Sequence, residues 1–358
     1  MHECLEAPLQ RLLRRENLST VEVQSCVGAI MDGACEAVDI AAFLTAMAAK
    51  GPVPDEIVGA ARAMRERAAH IRTARSPLLD TCGTGGDRLH TFNISTATAI
   101  VAAACDINVA KHGNRSVSSS SGSADVLEFL GVRIDQSADA AGRCLDKIGI
   151  AFCFAPVVHG AMKHAAPVRR QLGFPTIFNL LGPLTNPAGA EHQLLGASSN
   201  DRGRLLSSAA AKLGTTRTLV VCGNDQLDEV CLWGPTAVFD VQNEEVSEYE
   251  VSAADFDLPE CSVEDLVVSS ASESAEVIQA VLSGRHIPDS SAGTLTGDRF
   301  GAASAIVIAN TSAALVAAGG FDDFRRAAVF AKEMLVTGTA VRKLQELVEV
   351  SQSQGLSS

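Results

Sequence analysis

The stretch Asp80–Glu128 reads DTCGTGGDRLHTFNISTATAIVAAACDINVAKHGNRSVSSSSGSADVLE and contains two short loops rich in glycine and polar residues. The first loop, Gly83–Asp87 (GTGGD), is followed closely by Asn93–Thr96 (NIST). The second begins with Lys111–Arg115 (KHGNR) and continues as a serine run that ends at Gly122-Ser123. Each loop lies between an apolar run typical of a strand and an apolar run typical of a helix. Free amides at a helix start bind anions in α/β folds, so we call these loops the first and second cradle and predict that both bind phosphate groups.

Composition limits the classes of ligand. The chain has 358 residues, which is enough for a large core and for two domains. Its 29 basic and 42 acidic residues give a net charge of −13, and nucleic-acid binding needs clustered lysine and arginine. Aromatic residues are only 4% of the chain, which leaves few platforms on which bases could stack. We therefore expect a small anionic metabolite held in a local basic pocket, and no nucleic acid.

Several features bear on the compartment. No apolar run appears as long as a bilayer span, and the first residues lack the pattern of a signal peptide, so we expect no membrane association. Ten cysteines run from Cys4 to Cys261 without a CxxC pair, so the sequence indicates neither a zinc site nor a redox dithiol. Buried free thiols in a reducing cytoplasm are the expectation, with a packing role even for Cys82 beside the first cradle.

Residues 1–75 are predicted to form a small all-α domain. One helix should follow Ser19, since Glu22 completes a capping box there. A second is predicted at about Val38–Lys50, and a third from Pro54 to about Thr73. Such short amphipathic helices must dock on each other or on a neighbouring surface to bury their apolar faces.

Residues 76–358 are predicted to form a large α/β domain with a mainly parallel central sheet and helices around it. Strands alternate here with glycine-rich loops and helices, which is the pattern of a parallel sheet. A helical segment at about 160–190 is expected to complete the small domain. The predicted elements are strands at Leu78-Leu79, Ile107–Ala110, Ile150–Ala155 and Thr218–Val221, antiparallel strands within Val238–Val251, and helices at Ala97–Ala104, Ser123–Leu130, Ser137–Lys147, His159–Leu172, Arg202–Leu213, Ala302–Ala318 and Phe321–Val348.

The first cradle lacks the lysine of a Walker A loop and the spacing of a dinucleotide-binding GxGxxG motif. Its glycines permit a tight turn and a close approach to a ligand, although many such turns are purely structural. The three hydrogen-bonding side chains of Asn93, Ser95 and Thr96 exceed the one that an N-cap requires, which favours a binding role.

The second cradle combines a cation with many donors. Lys111 supplies charge, Gly113 allows close approach, and Asn114 with the serines at 118, 119 and 123 supplies donors. The alternative is a solvated serine-rich loop in which Ser123 only caps a helix. His112 is either a packing residue or an acid or base next to this site.

Two features further along the chain complete the set. Asp228-Glu229 follows a predicted buried strand, so both carboxylates should lie near the carboxyl end of that strand, where α/β folds bind ligands. Oxygen ligands of this kind suit Mg²⁺, although an acidic loop on an acidic protein is the alternative. Arg169-Arg170 lies near a predicted helix end, where a guanidinium either binds a carboxylate or interacts with the helix dipole.

These motifs, in this order, resemble the anthranilate phosphoribosyltransferase family of the nucleoside phosphorylase-like class. The resemblance rests on GTGGD, NIST, KHGNRSVSS with GSADVLE, MKHAAPVRRQLG, TIFNLLGPLTNPA and the LDE acidic pair, and covers nearly the whole chain. It implies transfer of the phosphoribosyl group of phosphoribosyl pyrophosphate to anthranilate, in tryptophan biosynthesis. It also implies two Mg²⁺ ions per subunit, a homodimer formed through the N-terminal helical domains, and a cytoplasmic enzyme.

The resemblance assigns roles residue by residue. Lys111, His112 and Arg169 are the candidate catalytic residues; Gly83, Asn114 and Arg169 would bind anthranilate; Ser95, Asp228 and Glu229 would hold Mg²⁺. Phosphoribosyl pyrophosphate would be bound by Gly83, Gly86, Asp87, Thr91, Asn93, Ile94, Ser95, Thr96, Lys111, His112, Gly113, Asn114, Arg115, Ser116, Val117, Ser118, Ser119 and Ser123. The sequence departs from the family pattern at Ser120, where a basic residue is common, and at Gly160, Gly196–Ser198 and Cys222.

Two other functions remain open from the sequence. A pyrimidine nucleoside phosphorylase shares the predicted fold and a phosphate site with lysine and glycine, but needs no acidic metal pair. A non-catalytic, nucleic-acid-binding relative is the third possibility, and the acidic composition together with Arg169 argues against it.

Overall fold

Four helices open the chain. A computed structural model describes residues 2–115, 121–290 and 292–353. The first helices are α1 (Glu3–Leu13), α2 (Thr20–Met31), α3 (Ala37–Lys50) and α4 (Pro54–Glu66). Two predicted helix starts are confirmed, because Ser19 and Glu22 form the capping box of α2 and Pro54 is the first residue of α4.

The sequence prediction missed α1 and made α4 too long. Leu5, Leu9 and Leu12 are buried at helical spacing in α1, and that spacing is the signal that could have found it. After Glu66 the amides donate outside the helix: Ala69 N–H to Val158 O at 2.8 Å and Ile71 N–H to Pro187 O at 3.1 Å. The helix therefore ends before the predicted Thr73, because this segment runs along the α/β part instead.

Seven strands form one sheet whose chain order reverses in its middle. They are β1 (Leu78–Gly83), β2 (Asn108–Gly113), β3 (Ile150–Phe154), β4 (His192–Gly196), β5 (Arg217–Gly223), β6 (Thr236–Gln242) and β7 (Glu245–Val251). The spatial order is β3-β2-β1-β4-β5-β6-β7, parallel from β3 to β5 and antiparallel beyond. The chain thus builds from β1 towards β3 and then from β4 towards β7. Ligands in open α/β sheets bind beyond the carboxyl ends of the strands at such a reversal, here between β1 and β4.

Eleven further helices accompany the sheet in the described ranges. They are α5 (Ile94–Ala104), α6 (Ser123–Phe129), α7 (Ala138–Ile148), α8 (Ala155–Val158), α9 (Ala166–Leu172), α10 (Phe178–Leu181), α11 (Asn200–Leu213), α12 (Ala271–Leu282), α13 (Arg299–Ala317), α14 (Phe324–Val336) and α15 (Thr339–Ser353). Short 3₁₀ turns lie at Gly160–His164, Gly182–Leu184, Ala253–Phe256 and Val263–Leu266. The predicted fold class, α/β with an all-α N-terminal part, is confirmed.

Some predicted elements differ from the observed ones. The predicted helix His159–Leu172 is a 3₁₀ turn followed by α9, and Pro167 lies in the first turn of α9. The predicted helix Phe321–Val348 is two helices, because Gly338 between them has a φ of +70°. Neither β4 nor α12 was predicted; all five residues of β4 are buried, so the strand shows no polar alternation.

Two apolar clusters pack on opposite faces of the sheet. Leu194 and Leu195 are neighbours on β4, yet Leu194 belongs to the cluster with α5 and α13 and Leu195 to the cluster with the N-terminal helices. The second cluster also includes side chains of α9, α10 and α11. The helical part therefore shares its core with one face of the sheet, while the division of domains at residue 75 stays a prediction.

The helix α13 corrects the expectation about apolar length. Its 19 residues are long and apolar enough to cross a membrane by length and composition. However, 94% of its most apolar window is buried inside the protein. Its apolar surface is therefore the centre of the first cluster, which explains the composition without a bilayer.

Candidate functional site

The first cradle begins where β1 ends, and glycine is required there by the approach of an acidic side chain. A methyl group on Gly83 would lie 2.3 Å from Asp228 Oδ2, and one on Gly196, the β4 neighbour of Gly83, would lie 1.7 Å from Asp228 O. The Gly85 amide donates to Asp228 Oδ2 at 2.7 Å. The structure thus brings the first cradle together with the acidic pair that lies about 140 residues later in the sequence.

The start of α5 uses more of its polar side chains locally than the sequence argument assumed. Asn93 Oδ1 accepts from the Thr96 amide at 3.2 Å and also from the Thr96 hydroxyl. Thr96 and Ile94 are buried, so their side chains complete the cap and the core. The surplus of donors is therefore smaller than predicted, and Ser95 is the residue of the three whose hydroxyl faces Lys111, accepting from Nζ at 3.2 Å.

The segment before this helix is held by a short antiparallel contact. Thr91 pairs with Val267 as an isolated bridge, and the Phe92 amide donates to Leu266 O at 2.9 Å. Thr91 itself is half-buried, and Asp87 is half-buried on the same loop. Gly86 is exposed with a φ of +82°, a backbone conformation that glycine adopts without strain.

Lys111 lies within β2 and not on the loop after it, which corrects its predicted position. Its side chain is 3% exposed, and Nζ donates to Thr81 O at 2.6 Å and to Ser95 Oγ at 3.2 Å. Burial lowers the pKa of Lys111, whereas the nearby carboxylates of Asp80 and Glu229 favour its charged form. Lys111 therefore places a cationic group beneath both cradles.

His112 is a buried, neutral ring. Its Nδ1 lies 2.9 Å from Gly182 O, while Nε2 has no hydrogen-bond partner within the described ranges. Burial, with the charge of Lys111 adding, lowers the pKa of His112 to about 4, so Nδ1–H donates to Gly182 O at neutral pH. The ring also contacts His159 edge-on at 5.1 Å. This geometry favours the packing interpretation of His112 over the acid-base one.

The second cradle folds back on the start of α6. The Ala124 amide donates to Asn114 O at 3.2 Å and Ser123 Oγ donates to the same oxygen at 3.3 Å. Gly113 is needed at this point, because a methyl group on it would lie 2.2 Å from Ser123 Oγ. The structure thus brings the predicted residues 113, 114 and 123 together.

The Arg115 guanidinium points along α6 and is already paired. Its Nη1 lies 2.8 Å from Asp125 Oδ1 and 2.6 Å from Glu128 Oε2. These two acids raise the pKa of Arg115 further above its usual range. The Arg115 side chain is therefore directed along α6, and the Arg115 amide donates to Asn114 Oδ1 at 2.7 Å. The predicted residues Ser116, Val117, Ser118 and Ser119, and the variant position Ser120, lie outside the described residues.

Asp228 and Glu229 form an acidic pair shortly after β5, as was predicted from the buried strand before them. Burial raises the pKa of Asp228 to about 7, with Asp87 opposite adding to it. Burial, together with the charge of Asp228, raises the pKa of Glu229 well above its usual value, although the Ser95 amide donates to it. A divalent cation among these oxygens would favour both charged forms, so the donor set of Ser95, Asp228 and Glu229 fits Mg²⁺.

Two hydrogen bonds, one within α10 and one directly after it, connect the second cradle to Arg169. His112 binds Gly182 O directly after α10, and Asn179 of α10 accepts from Arg169 Nη2 at 3.3 Å. The guanidinium lies 5.4 Å from the centre of the Phe178 ring. Burial lowers the pKa of Arg169, which has no carboxylate partner within the described ranges. A free guanidinium in this position can receive a carboxylate.

The sequence analysis assigned no role to Asp80, Asn186 or Asn310, which all support the backbone of this site. Asp80 is fully buried in β1 and accepts from the His112 amide at 3.0 Å and from Asn186 Nδ2 at 2.8 Å. Asn310 of α13 is fully buried and binds both backbone groups of Val230, next to Glu229. In the sequence Asp80 and Asn310 are only polar residues within apolar runs. Their role becomes visible once they are known to be buried, because buried polar groups need hydrogen-bond partners.

Two models of a glycosyl transferase family match the chain. The helical bundle domain of that family matches residues 8–68, and its a/b domain matches residues 75–341. The fold, the site at the reversal of strand order and these two matches define the class of protein. It is a glycosyl transferase with a helical bundle domain and an α/β domain.

Individual relatives narrow this class. The anthranilate phosphoribosyltransferase of Moorella thermoacetica is 44% identical over 344 residues, 96% of this chain and 97% of its own. The crystal structure of the Thermus thermophilus anthranilate phosphoribosyltransferase has a TM-score of 0.87 at 36% identity, covering 96% of this chain and 99% of that one. The Saccharomyces cerevisiae anthranilate phosphoribosyltransferase in complex with PRPP and Mg has a TM-score of 0.87 at 26% identity (98% and 100% covered). The same yeast enzyme in complex with 4-fluoroanthranilate has a TM-score of 0.85 at 25% identity, covering 99% of this chain and 100% of that one. This chain therefore belongs to the anthranilate phosphoribosyltransferase family.

Proposed function

We propose that this protein transfers the phosphoribosyl group of phosphoribosyl pyrophosphate to anthranilate, giving N-(5-phosphoribosyl)anthranilate and pyrophosphate for tryptophan biosynthesis. The observation that carries the proposal is the meeting of two glycine-containing cradles, at the ends of neighbouring strands β1 and β2, with the acidic pair after β5. A ligand with phosphate at both ends needs two such cradles and a cation between them. The similarity to anthranilate phosphoribosyltransferases over almost the whole chain supports this choice.

Phosphoribosyl pyrophosphate is proposed to lie across both cradles. In the first, the exposed amides around Gly86 and Asp87 would bind phosphate oxygens, with Thr91 and Asn93 at its edge. In the second, Gly113 and the backbone of Arg115 would do so, together with the serine run. Since Lys111, His112, Ile94 and Thr96 are buried, we assign them supporting roles: Lys111 supplies charge from beneath, and the others hold the backbone in place.

The metal site is proposed at Ser95, Asp228 and Glu229, with two Mg²⁺ ions per subunit. The yeast relative was solved with PRPP and Mg. Bound there, Mg²⁺ would neutralise charge on the pyrophosphate. The residues of this chain contribute by keeping both carboxylates close together against the first cradle, through the Gly85 and Ser95 amides.

Anthranilate is proposed to bind with its carboxylate on Arg169 and its ring side near Asn114 and Gly83. The yeast relative binds 4-fluoroanthranilate, an analogue of this acceptor. Arg169 is pre-oriented by Asn179 and Phe178, so a carboxylate can meet a guanidinium whose side chain is already fixed. Gly182, which directly follows α10, accepts from His112. The segment that holds Asn179 beside Arg169 therefore also contacts a residue of the second cradle.

The reaction forms a bond from the anthranilate nitrogen to ribose C1′ while the bond from C1′ to the pyrophosphate oxygen breaks. The electron pair of that bond leaves with pyrophosphate, and the nitrogen releases a proton to solvent. An aromatic amine is neutral at pH 7, so no strong general base is required, and the neutral, buried His112 agrees with this. Catalysis therefore rests on positioning the two substrates and on stabilising the leaving charge.

The decisive experiment replaces the acidic pair. Asp228→Ala with Glu229→Ala should lower kcat/KM by at least about 100-fold, because the charge on the leaving group is no longer compensated. Formation of the fluorescent product is measured with anthranilate, phosphoribosyl pyrophosphate and Mg²⁺, each omitted in turn. The control is Glu244→Ala with Glu245→Ala, an exposed adjacent pair where the turn after β6 enters β7, which should leave the rate unchanged. Equal rates in both double variants, with the same dependence on Mg²⁺, would contradict the metal assignment.

The two other functions are tested on the same preparation. A pyrimidine nucleoside phosphorylase would cleave thymidine with phosphate, and a nucleic-acid-binding relative would shift labelled DNA or RNA at moderate salt. We expect neither, since the relatives that cover the full chain are anthranilate phosphoribosyltransferases.

The remaining assignments are proposals of organisation. We propose a small domain at residues 1–75, completed by the helical segment at about 160–190, and a large domain at 76–358, with a homodimer through the small domains. A cytoplasmic location is supported by ten free cysteines that form no disulfide. Fractionation of source cells, with the enzyme activity as the marker, tests the location.

A further inference from the structure

A histidine and two cysteines meet at the start of the helical part, and none of the three belongs to the proposed active site. One ligand atom from each of His2, Cys4 and Cys35 lies within 4.8 Å of the other two. His2 Nδ1 is 3.0 Å from Cys4 Sγ. All three side chains are partly exposed, so a small ion from solvent has access to them. The sequence predicted no zinc site, because that prediction considered only cysteines close together in the chain.

The fold creates this cluster from two separate segments. His2 is the N-cap of α1, and the turn of that helix places Cys4 beside it. Cys35 lies on the short connection between α2 and α3. The His2 amide donates to Asp39 Oδ2 of α3 at 2.9 Å, which ties the chain start to that connection. The positions of the three ligands are therefore set by packing of α1 against α3.

We propose that His2, Cys4 and Cys35 bind one Zn²⁺ ion per chain, with a fourth position open to water. Thiolate and imidazole are the ligands that zinc prefers, and three protein ligands with one open position are a common zinc arrangement. A tetrahedral site with ordinary Zn–S and Zn–N bonds separates its ligand atoms by about 3.5–3.8 Å. The three side chains need to move by only about 1 Å or less to reach that geometry.

Zn²⁺ binding would replace the thiol protons of Cys4 and Cys35. In the absence of metal the Cys4 thiol is hydrogen-bonded to the imidazole, and the zinc ion takes the place of that proton while Cys35 also loses its proton to solvent. Two protons are therefore released for each Zn²⁺ ion bound, because the thiolate and not the thiol is the metal ligand.

The third thiol nearby has a supporting role. Cys26 is fully buried and donates from Sγ to Cys4 O at 3.2 Å. It thereby fixes the backbone of Cys4 from the core side, so the Cys4 side chain is held towards His2. The zinc ion would connect α1 to the α2–α3 connection and stabilise the folded helical part.

Metal titration of the full chain tests the proposal. The reduced, chelator-treated protein is titrated with Co²⁺ as a spectroscopic probe and then with Zn²⁺. We expect one equivalent of Co²⁺ with a thiolate charge-transfer band, its displacement by Zn²⁺, and a rise of a few degrees in Tm with Zn²⁺ that EDTA reverses. Anthranilate turnover in excess Mg²⁺ should stay within about twofold, since the site is separate from the active site.

Variants distinguish this site from adventitious binding. Cys4→Ser with Cys35→Ser should abolish the charge-transfer band, and His2→Asn, which keeps a side-chain acceptor at the N-cap of α1, should weaken Zn²⁺ binding by at least about tenfold. Cys105→Ser with Cys261→Ser, buried thiols of the α/β part, is the matched control and should bind like the wild type. Absence of the band in wild type, or equal Zn²⁺ affinity in wild type and in both site variants, would overturn the proposal.

Discussion

Glycines at two neighbouring strand ends determine how closely the acidic pair approaches the first cradle. Gly83 ends β1 and Gly196 ends β4, and the two are paired in the sheet. Any side chain at either position would overlap Asp228. Glycine is therefore needed here for close approach of a carboxylate, in addition to the close approach of a ligand that the sequence suggested.

Gly83→Ala should lower kcat/KM by about 100-fold or more and weaken the apparent affinity for Mg²⁺. The added methyl group would lie 2.3 Å from Asp228 Oδ2, so the carboxylate or the cradle has to shift. Gly160→Ala is the control, because a methyl group there meets nothing within 4 Å and φ is not positive. Steady-state kinetics over a range of Mg²⁺ concentrations provide the measurement, and an unaffected Gly83→Ala enzyme would refute the role of this contact.

Asp80 makes the stability of the protein depend on pH. It is fully buried between the His112 amide and Asn186, and burial raises its pKa from 3.8 to about 6. Between about pH 4 and 6 the folded state therefore binds the proton more tightly than the unfolded state, so this group lowers stability as pH rises. The difference corresponds to on the order of 3 kcal/mol across the window.

Asp80→Asn should remove that part of the pH dependence. Its free energy of unfolding should be lower than that of wild type at pH 4 and should decline less steeply towards pH 6, because the amide does not titrate but is a poorer acceptor for Asn186. Urea unfolding at several pH values measures both slopes. Asp106→Asn, at an exposed turn before β2, should keep the wild-type slope. Parallel slopes for Asp80→Asn and wild type would disprove the assignment.

Among the secondary-structure elements, the buried helix α13 fixes the backbone next to the acidic pair Asp228-Glu229. Asn310 Oδ1 accepts from the Val230 amide at 2.8 Å, and Nδ2 donates to Val230 O at 2.9 Å. Val230 directly follows Glu229, so a fully buried amide side chain fixes the backbone that carries both carboxylates. A mainly apolar helix thus contains a polar side chain that fixes the backbone next to the acidic pair.

Asn310→Leu should destabilise the protein by about 2–4 kcal/mol, because two buried backbone groups of Val230 lose their partner at nearly constant volume. It should also weaken the apparent affinity for Mg²⁺. Ser304→Ala on the same helix is the control: Ser304 Oγ is buried and has no partner within the described ranges, so its removal should change stability by less than about 1 kcal/mol. Chemical unfolding and Mg²⁺ titration distinguish the two variants, and equal stabilities would contradict this account.

In the molecule as a whole, one apolar cluster is shared by the helical part and the sheet. Some apolar residues nevertheless remain exposed on the helical part. Val21 of α2 and Val38 of α3 are 75% and 73% exposed. Isolated exposed valines are ordinary on a surface, but the proposed dimer through the helical part needs exposed apolar residues there, and these two valines are available for it. They are the residues through which we propose the dimer.

Val21→Asp with Val38→Asp should convert a dimer to a monomer, because two buried charges per subunit would oppose association. Light scattering coupled to size-exclusion chromatography measures the mass. Val329→Asp on α14, where Val329 is 62% exposed, carries the same kind of change on another surface and should remain dimeric. A monomeric wild type, or a dimeric double variant, would exclude the proposed interface.

Local spacing in the sequence was enough to predict several features of this protein. Glycine-rich turns after apolar runs located both cradles, the Ser19–Glu22 box located a helix start, and the position of Asp228-Glu229 after a strand placed it near the site. The fold was needed to show that Lys111 and His112 are buried, that Asp80 and Asn310 support the site, and that Cys35 lies beside His2 and Cys4. Backbone geometry follows from neighbouring residues, whereas burial and contacts between distant segments arise only when the sheet order brings those segments together.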